Sequence, residues 1–156
     1  YTLMFDAIAS HGGVVTMMAG DGLMAVFGAP LPLRDPCAGA VRTALEMIET
    51  IELFNLERVA ADKPQIRIGI GIASGEMVAA YTGTNERATY TCIGDTVNLA
   101  SRLEAHTKAA ARTILIDGAT RAALGDRIQV ERLGPASIRG KAEPVDVFSV
   151  NLGQKL

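Results

Sequence analysis

Apolar residues recur along the chain in two patterns, the period of an α-helix and the alternation typical of strands. Residues 3–10 show the helical period and end at a Gly-Gly pair, which predicts a helix with a glycine cap. Two short apolar runs follow at residues 14–18 and 23–27, and the Ala-Gly-Asp-Gly segment between them predicts a β-hairpin. We therefore expect Asp21 at the tip of a hairpin.

The Asp35-Pro36 pair introduces a long segment whose apolar residues share one helix face. These residues are Ala40, Val41, Ala44, Leu45, Ile48, Ile51 and Leu56. Farther along, every second residue from Ile66 to Ile72 is isoleucine, which predicts a strand with a buried isoleucine face. The glycines on the opposite face leave room for another group to approach closely.

The rest of the chain continues to alternate between strands and helices. Strands are expected at residues 89–93, 114–116, 128–133 and 145–150, and helices at residues 119–124 and after Asp95, which would be an N-cap. Because the hairpin excludes a wholly parallel sheet, the pattern predicts an α+β fold, a layered α/β sandwich with a mixed or largely antiparallel sheet. The length of 156 residues predicts one domain, residues 1–156.

Composition and charge exclude several classes of partner. With 15 basic and 17 acidic side chains the net charge is -2, so no broad positive field attracts nucleic acid. The longest segment without charged side chains, residues 7–20, is too short and too polar to span a bilayer. The two cysteines, Cys37 and Cys92, lack a metal-binding spacing and fit a reducing compartment, so we expect a cytoplasmic protein.

Two groups of polar residues are candidates for chemistry. Asp21 offers an exposed carboxylate of the kind that Mg²⁺ or Mn²⁺ prefers, although Gly-Asp-Gly is also ordinary turn chemistry. Asn98 and Arg102 are four residues apart and thus share a face of the predicted helix. Arginine suits the charge of a phosphoryl transition state and asparagine can hydrogen-bond a sugar, but a solvated polar face is the alternative. The local sequence leaves both alternatives open.

Several segments together resemble a known family. They are Gly20–Pro30 (GDGLMAVFGAP), Ile70–Gly75 (IGIASG), Arg87–Glu104 (RATYTCIGDTVNLASRLE) and Ile138–Lys141 (IRGK). Over nearly the whole chain they resemble the catalytic domain of class III nucleotidyl cyclases. The Gly-Asp-Thr-Val-Asn block with an arginine four residues on is the most specific part. The resemblance implies a ferredoxin-like type of α/β sandwich.

The resemblance also implies a reaction and a role for each candidate residue. The reaction is a cyclisation assisted by two metal ions, Mg²⁺ or Mn²⁺, in which the ribose 3′-hydroxyl attacks the α-phosphate and pyrophosphate leaves. Asp21 matches a metal-binding aspartate, Asn98 the residue that orients the ribose, and Arg102 the residue that stabilises the transition state. The family's sites lie in a head-to-tail homodimer, with metals bound by one subunit and the Asn and Arg supplied by the other.

The resemblance indicates which base is selected. Thr91, seven residues before Asn98, matches an adenine-type position, so ATP is the expected substrate and cyclic AMP the product. The lysine that usually accompanies it is replaced by Met17, whose thioether cannot donate to the base. Arg139 and Lys141 are candidates for contacts with the triphosphate. A guanylyl or unselective cyclase is an alternative: Thr91 opposes the first form and Met17 supports the second.

One element of the family pattern is missing from the sequence. The family's first metal-binding aspartate lies on a strand before the opening helix, and Asp6 lies within that helix and does not replace it. We therefore expect a piece of a longer protein with regulatory domains, inactive when taken alone. A noncatalytic nucleotide-binding or dimerisation relative is a further alternative, but retention of Asp21, Asn98 and Arg102 together argues against it.

Overall fold

The computed structural model describes the backbone of residues 1–156 and the side chains of all of them except Ala19. The helices are α1 (Thr2–Ser10), α2 (Pro36–Ala60), α3 (Asp95–Ala110) and α4 (Gly118–Leu124), and a 3₁₀ turn follows at Gly125–Arg127. The strands are β1 (Gly13–Ala19), β2 (Gly22–Phe27), β3 (Ile70–Ile72), β4 (Val78–Thr84), β5 (Arg87–Ile93), β6 (Ile114–Asp117), β7 (Val130–Ala136) and β8 (Val145–Val150).

The opening helix and the hairpin form where the sequence predicts them. Helix α1 is followed by Gly12, whose φ of 82° is a left-handed conformation that glycine adopts freely. Strands β1 and β2 pair antiparallel, with residue 19 opposite Gly22, so the chain reverses through Gly20 and Asp21. The sequence prediction of Asp21 at the hairpin tip is confirmed.

Helix α2 also begins as predicted. Pro36 is its first residue, and the carboxylate of Asp35 accepts a hydrogen bond of 3.2 Å from the N–H of Ala38. The buried residues of α2 lie between Ala38 and Ile48, so the helix continues past the core. The prediction that Leu56 is on the buried face is therefore wrong, since this side chain is 68% exposed. None of the described helices combines the length and the apolar character needed to cross a membrane.

The strands form separate sheets where the sequence analysis expected one. Strand β3 is parallel to β6, while β6–β8 and β8–β7 are antiparallel pairs in the same sheet, and β1–β2 and β4–β5 are separate antiparallel hairpins. The α+β class and the mixed, largely antiparallel pairing are confirmed. Among the described residues, β2 pairs only with β1 and β3 only with β6, so each of these strands has an open edge.

An apolar groove, here called the inter-sheet groove, lies beside both open edges. Its volume is about 1900 Å³, and its lining includes Val26, Met47, Ile48, Ile68, Ile70 and Ile72. The isoleucine face predicted as buried is therefore only half-buried, and Ile66 is exposed, because no described strand pairs along that edge of β3. For the same reason the regular strand is limited to Ile70–Ile72.

The glycine face of β3 packs against helix α3. A Cβ atom at Gly71 would lie 2.8 Å from the Cβ of Leu103 and would overlap the backbone of Ala100 and Glu104. At Gly69 the nearest side chain also belongs to α3. The group that approaches these glycines is therefore α3, the helix that carries Asn98 and Arg102. Because the glycines have no side chains, α3 can pack close to the backbone of β3.

Strand β4 was not predicted from the sequence. All of its residues are exposed, so they show no alternation of buried and polar positions, and Ala79, Ala80 and Gly83 are weak strand formers. Its pairing with β5 stabilises it, and the rings of Tyr81 and Tyr90 lie opposite each other with centroids 5.1 Å apart. The hairpin of β4 and β5 thus depends on cross-strand contacts that local sequence does not reveal.

Candidate active site

The hairpin of β1 and β2 presents two of the predicted site residues. Asp21 is exposed in the turn, and the hydroxyl of Tyr1 donates to the neighbouring carbonyl of Gly20 at 3.3 Å. Met17 lies on β1 with 55% of its surface exposed. Both side chains line the inter-sheet groove. The hairpin therefore places a carboxylate and a thioether at the same side of the molecule.

Helix α3 carries two more predicted site residues. Asn98 is exposed in the first turn, where its N–H donates to the carbonyl of Gly94 at 3.1 Å, and Arg102 is half-buried one turn later. The N-cap is Gly94, whose φ is 140°, and Asp95 is the first helical residue without a side-chain capping bond. The prediction of Asp95 as N-cap is therefore wrong, because the chain enters the helix through a backbone conformation that glycine supplies.

A tight turn from Ile138 to Lys141 lies against Arg102. The N–H of Lys141 donates to the carbonyl of Ile138 at 3.0 Å, and Gly140 has a φ of 83°, as in the third position of a type II turn. A Cβ atom on Gly140 would lie 2.7 Å from the Cζ atom of Arg102. Arg139 and Lys141 are exposed. The structure thus brings the predicted triphosphate loop against the predicted site arginine.

Thr91 occupies the middle of β5, and its side chain is half-buried. Its Oγ1 atom is 3.5 Å from the Oγ1 atom of Thr82 on β4. Cys92 follows on the opposite face of the strand and is 8% exposed. Burial raises the pKa of the Cys92 thiol, so the thiol stays protonated at neutral pH. Cys92 is therefore a packed residue that faces away from the side on which Thr91 lies.

A hydrogen-bond network that the sequence analysis missed fixes the chain after β3. The Ser74 Oγ atom is 2.7 Å from the Thr120 Oγ1 atom, and Asp117, which is 6% exposed, accepts from the N–H of Thr120 at 3.0 Å. The Thr96 hydroxyl, at the start of α3, donates to the carbonyl of Glu76 at 2.8 Å. The Asp-x-x-Thr spacing of Asp117 and Thr120 is typical of a helix cap, but it does not indicate that Ser74 contacts Thr120. The network holds the loop on which the start of α3 rests.

Two of the predicted site residues, Asn98 and Arg102, lie outside the lining of the inter-sheet groove. The residues of α3 that line the inter-sheet groove together with Asp21 and Met17 include Thr96, Val97, Ala100, Ser101 and Glu104. Asn98 and Arg102 are not among the described residues that line it. Residues four apart share a helix face, so Asn98 and Arg102 project together to one side of the groove-lining positions. Asn98 and Arg102 therefore lie beside the groove that Asp21 and Met17 line, and not in its lining.

The carboxylates of the described residues do not form a complete metal site. Within the part of the chain that the structure describes, no group of three or more His, Cys, Asp or Glu side chains could hold a metal ion. Asp21 supplies one exposed carboxylate, whereas Mg²⁺ in proteins takes an octahedron of oxygen ligands from carboxylates, phosphates and water. Asp21 fits one ligand position of such a site, and the remaining oxygen ligands would have to come from other groups.

Comparisons with known proteins identify relatives along almost the whole chain. Residues 1–151 match the family described as the adenylate and guanylate cyclase catalytic domain. The chain is 34% identical over 150 residues to adenylate cyclase 1 of Rhizobium meliloti (strain 1021), which covers 96% of this chain and 23% of that protein.

Solved structures of cyclases superimpose closely on the chain. The adenylyl cyclase CyaB from P. aeruginosa matches with a TM-score of 0.86 and 27% identity, over 97% of this chain and 78% of that one. The guanylyl cyclase Cya2 matches with a TM-score of 0.83 and 32% identity, over 94% of this chain and 74% of that one. Both adenylyl and guanylyl cyclases are therefore among its structural relatives.

The fold and these matches define a nucleotidyl cyclase catalytic domain. The chain belongs to the adenylate and guanylate cyclase catalytic domain family, as the resemblance to class III cyclases predicts. Domains of this class generally depend on divalent metal ions. The chain spans about a quarter of the Rhizobium relative, 23% of its length.

Proposed function

We propose that the protein containing this chain converts ATP to cyclic AMP and pyrophosphate. The ribose 3′-oxygen forms a bond to the α-phosphorus and loses its proton to solvent, while the bond from the α-phosphorus to the pyrophosphate oxygen breaks. The Asn98 amide hydrogen-bonds the ribose and keeps the 3′-oxygen in line. Arg102 donates charge-assisted hydrogen bonds to the α-phosphate oxygens, where negative charge develops. Arg139 and Lys141 interact with the outgoing phosphates.

The observation that carries the proposal is that Asp21 lines the inter-sheet groove whereas Asn98 and Arg102 do not. A head-to-tail homodimer would bring these residues together, because the groove of one subunit then meets α3 of its partner. The symmetry of the dimer produces two such sites. Exposed apolar side chains on the hairpin of β4 and β5 support burial against a second copy. They are Val78, Tyr81 and Ile93, which are 63%, 67% and 62% exposed.

The proposal includes an additional extended strand in the inter-sheet groove, supplied by residues outside 1–156. The open edges of β2 and β3 each present backbone groups that such a strand can pair with, and isoleucines line the space between them. A carboxylate on that strand would join Asp21 in binding Mg²⁺ or Mn²⁺, two ions per site, which are the proposed cofactors. The 156 residues taken alone are expected to have little activity.

ATP is proposed as the substrate because of Thr91. Its hydroxyl can both donate and accept, which suits the adenine edge. Met17, in contrast, offers no donor, so an enzyme that accepts ATP and GTP alike is the second candidate. The free thiols of Cys37 and Cys92 support a cytoplasmic location. The small share of the Rhizobium relative that the chain covers supports regulatory domains elsewhere in the complete polypeptide.

The direct test is a product assay. The complete natural polypeptide is incubated with Mn²⁺ and either ATP or GTP, and cyclic AMP and cyclic GMP are quantified beside an assay of residues 1–156 at equal concentration. We expect cyclic AMP as the main product and little turnover by residues 1–156 alone. Absence of both products would support the noncatalytic alternative. Equal turnover by the two proteins would contradict the proposed additional strand and require another carboxylate, such as Asp6 or Glu76, to complete the metal site.

A further inference from the structure

Gly140 approaches the guanidinium of Arg102 more closely than any side chain could. A Cβ atom at this position would lie 2.7 Å from Cζ and 3.1 Å from Nη2 of Arg102, and would overlap Nη1. A side-chain carbon does not approach an unbonded atom as closely as it would approach Cζ and Nη1 here, since carbon atoms in contact are about 3.5–4.0 Å apart. The backbone of the turn therefore forms one wall of the space that the guanidinium occupies.

The turn is fixed to the same helix that carries Arg102. Ile138, at the first position of the turn, is 4% exposed and packs in one buried cluster with Leu99 and Leu103. Leu99 and Leu103 each follow a site residue of α3 by one position, so the turn and the site residues share an anchor. Movement of the turn relative to Arg102 would require this cluster to open.

The proposal rests on the proposed function, in which Arg102 contacts the α-phosphate. We propose that Gly140 is a positioning residue for Arg102: the type II turn anchored by Ile138 confines the guanidinium to its catalytic orientation, and only glycine leaves the space for it. A methyl group here displaces the end of a flexible side chain and no buried backbone. Such a change is expected to alter the reaction step while the fold stays intact.

The first test compares Gly140→Ala with Gly153→Ala in the complete natural polypeptide. The two glycines have φ values of 83° and 82°, but the space around Gly153 is open within 4 Å, so this control imposes the same backbone strain without touching Arg102. We expect Gly140→Ala to lower kcat about tenfold or more with KM changed less than about threefold, and Gly153→Ala to change neither. Equal effects of the two substitutions on kcat would overturn the proposal.

A double-mutant cycle asks whether Gly140 acts through Arg102. In an Arg102→Lys background the guanidinium is gone, so adding Gly140→Ala is expected to lower kcat by less than about twofold. A further loss as large as in the wild-type background would show that Gly140 acts independently of Arg102, and the proposal would be wrong.

An NMR measurement separates this proposal from the proposed function. The Nε–Hε signal of Arg102 is assigned in arginine-labelled protein by its loss in Arg102→Lys. We expect Gly140→Ala to shift or broaden it and Gly153→Ala to leave it in place, and an unmoved signal in Gly140→Ala contradicts the positioning role. If the wild type makes no cyclic nucleotide, the proposed function is wrong. The Nε–Hε signal still shows whether Gly140 controls the position of the Arg102 guanidinium. If Gly140→Ala does not fold, Gly140→Asn replaces it, because asparagine tolerates positive φ yet carries a Cβ atom.

Discussion

Met17 and Met18 are neighbouring residues on β1 with different surroundings. Met17 lines the inter-sheet groove beside Asp21, whereas Met18 points to the opposite face of the strand, as alternation requires. Both side chains are about half exposed, at 55% and 49%. A charged group can therefore be introduced at either position without burial, and only the one at position 17 faces the side that the proposal assigns to the nucleotide.

Met17→Lys is expected to increase the preference for ATP over GTP. A charged donor to the adenine edge contributes about 1.5–3 kcal/mol, so the ratio of the two kcat/KM values should rise roughly tenfold to hundredfold. Steady-state kinetics with both nucleotides measure the ratio in the complete natural polypeptide. Met18→Lys is the matched control and should leave the ratio unchanged. If both substitutions change it equally, or neither does, Met17 does not face the base.

Asp35 connects the start of α2 to the 3₁₀ turn after α4. Its carboxylate accepts a hydrogen bond from the guanidinium of Arg127 and another from the N–H of Ala38. Both hydrogen bonds hold the pKa of Asp35 below its usual value, and the bond from Arg127 has the larger effect. Because the folded-state pKa is the lower one, the ionised carboxylate stabilises the fold above the ordinary pKa, and this contribution is lost as pH falls through the lowered value.

Asp35→Asn is expected to reduce stability at neutral pH by up to about 1 kcal/mol, because asparagine retains the cap but not the charge, and exposed ion pairs contribute little. The difference from the wild type should shrink as pH falls below about 4, where the carboxylate of the unfolded chain gains a proton, and should vanish below the lowered pKa of the folded state. Urea unfolding at pH 7, 5 and 3 measures it. Asp126→Asn, an exposed aspartate on the 3₁₀ turn, serves as control. A difference that is the same at pH 3 and pH 7 would contradict the assigned cause.

At the scale of elements, the contact between β3 and α3 sets the position of the site helix. The strand side contributes glycines and the helix side contributes backbone atoms at Ala100 and Glu104. The loop after β3 then holds the first turn of α3 through Thr96. Asn98 and Arg102 are therefore placed by the sheet as well as by their own helix.

Gly71→Ala is expected to separate α3 from β3. The added methyl group would overlap the backbone of the helix, which cannot move aside as a side chain can, so a loss of about 1–3 kcal/mol in unfolding free energy is expected. Gly118→Ala, at the first residue of α4 with open space around it, should be neutral or stabilising by up to about 1 kcal/mol. Chemical denaturation of both variants measures the two effects. Equal stability of the variants would refute the close packing at Gly71.

The elements predicted correctly from the sequence are those with a local cause. The turn at Gly20 and Asp21 and the start of α2 at Pro36 depend on residues adjacent in the chain, and both are confirmed. The fully exposed strand β4, the division into separate sheets and the contact of Gly140 with Arg102 depend on groups far apart in the sequence. Hydrophobic periodicity carries no signal for these features, so they could not be predicted.

The candidate site shows the same division between features with a local signal in the sequence and features that depend on the fold. The motif residues Asp21, Asn98 and Arg102 could be named from sequence because the resemblance lies in short contiguous blocks. The position of Asp21 in the inter-sheet groove, and of Asn98 and Arg102 outside its lining, is a property of the fold. The roles of these residues stay predictions.

At the scale of the whole molecule, the proposed site takes Asp21 from one subunit and Asn98 and Arg102 from the other. In a head-to-tail dimer of two different variants, one site collects both lesions and the other has none. Two substitutions in residues that the same subunit contributes to a site behave differently. Each site of the mixed dimer then contains one substituted residue, so neither site is intact. Mixing experiments therefore distinguish a shared site from a site within one chain.

The decisive measurement is the cyclase activity of mixed variants of the complete natural polypeptide. Asp21→Ala and Arg102→Ala are each expected to be nearly inactive, and mixing them in equal amounts should restore about a quarter of the wild-type activity, since half of the dimers are mixed and each has one intact site. A mixture of Asn98→Ala and Arg102→Ala, the matched control, should restore none. If Asp21→Ala and Arg102→Ala form mixed dimers, verified by pull-down with two different tags, and activity does not return, the shared site is contradicted.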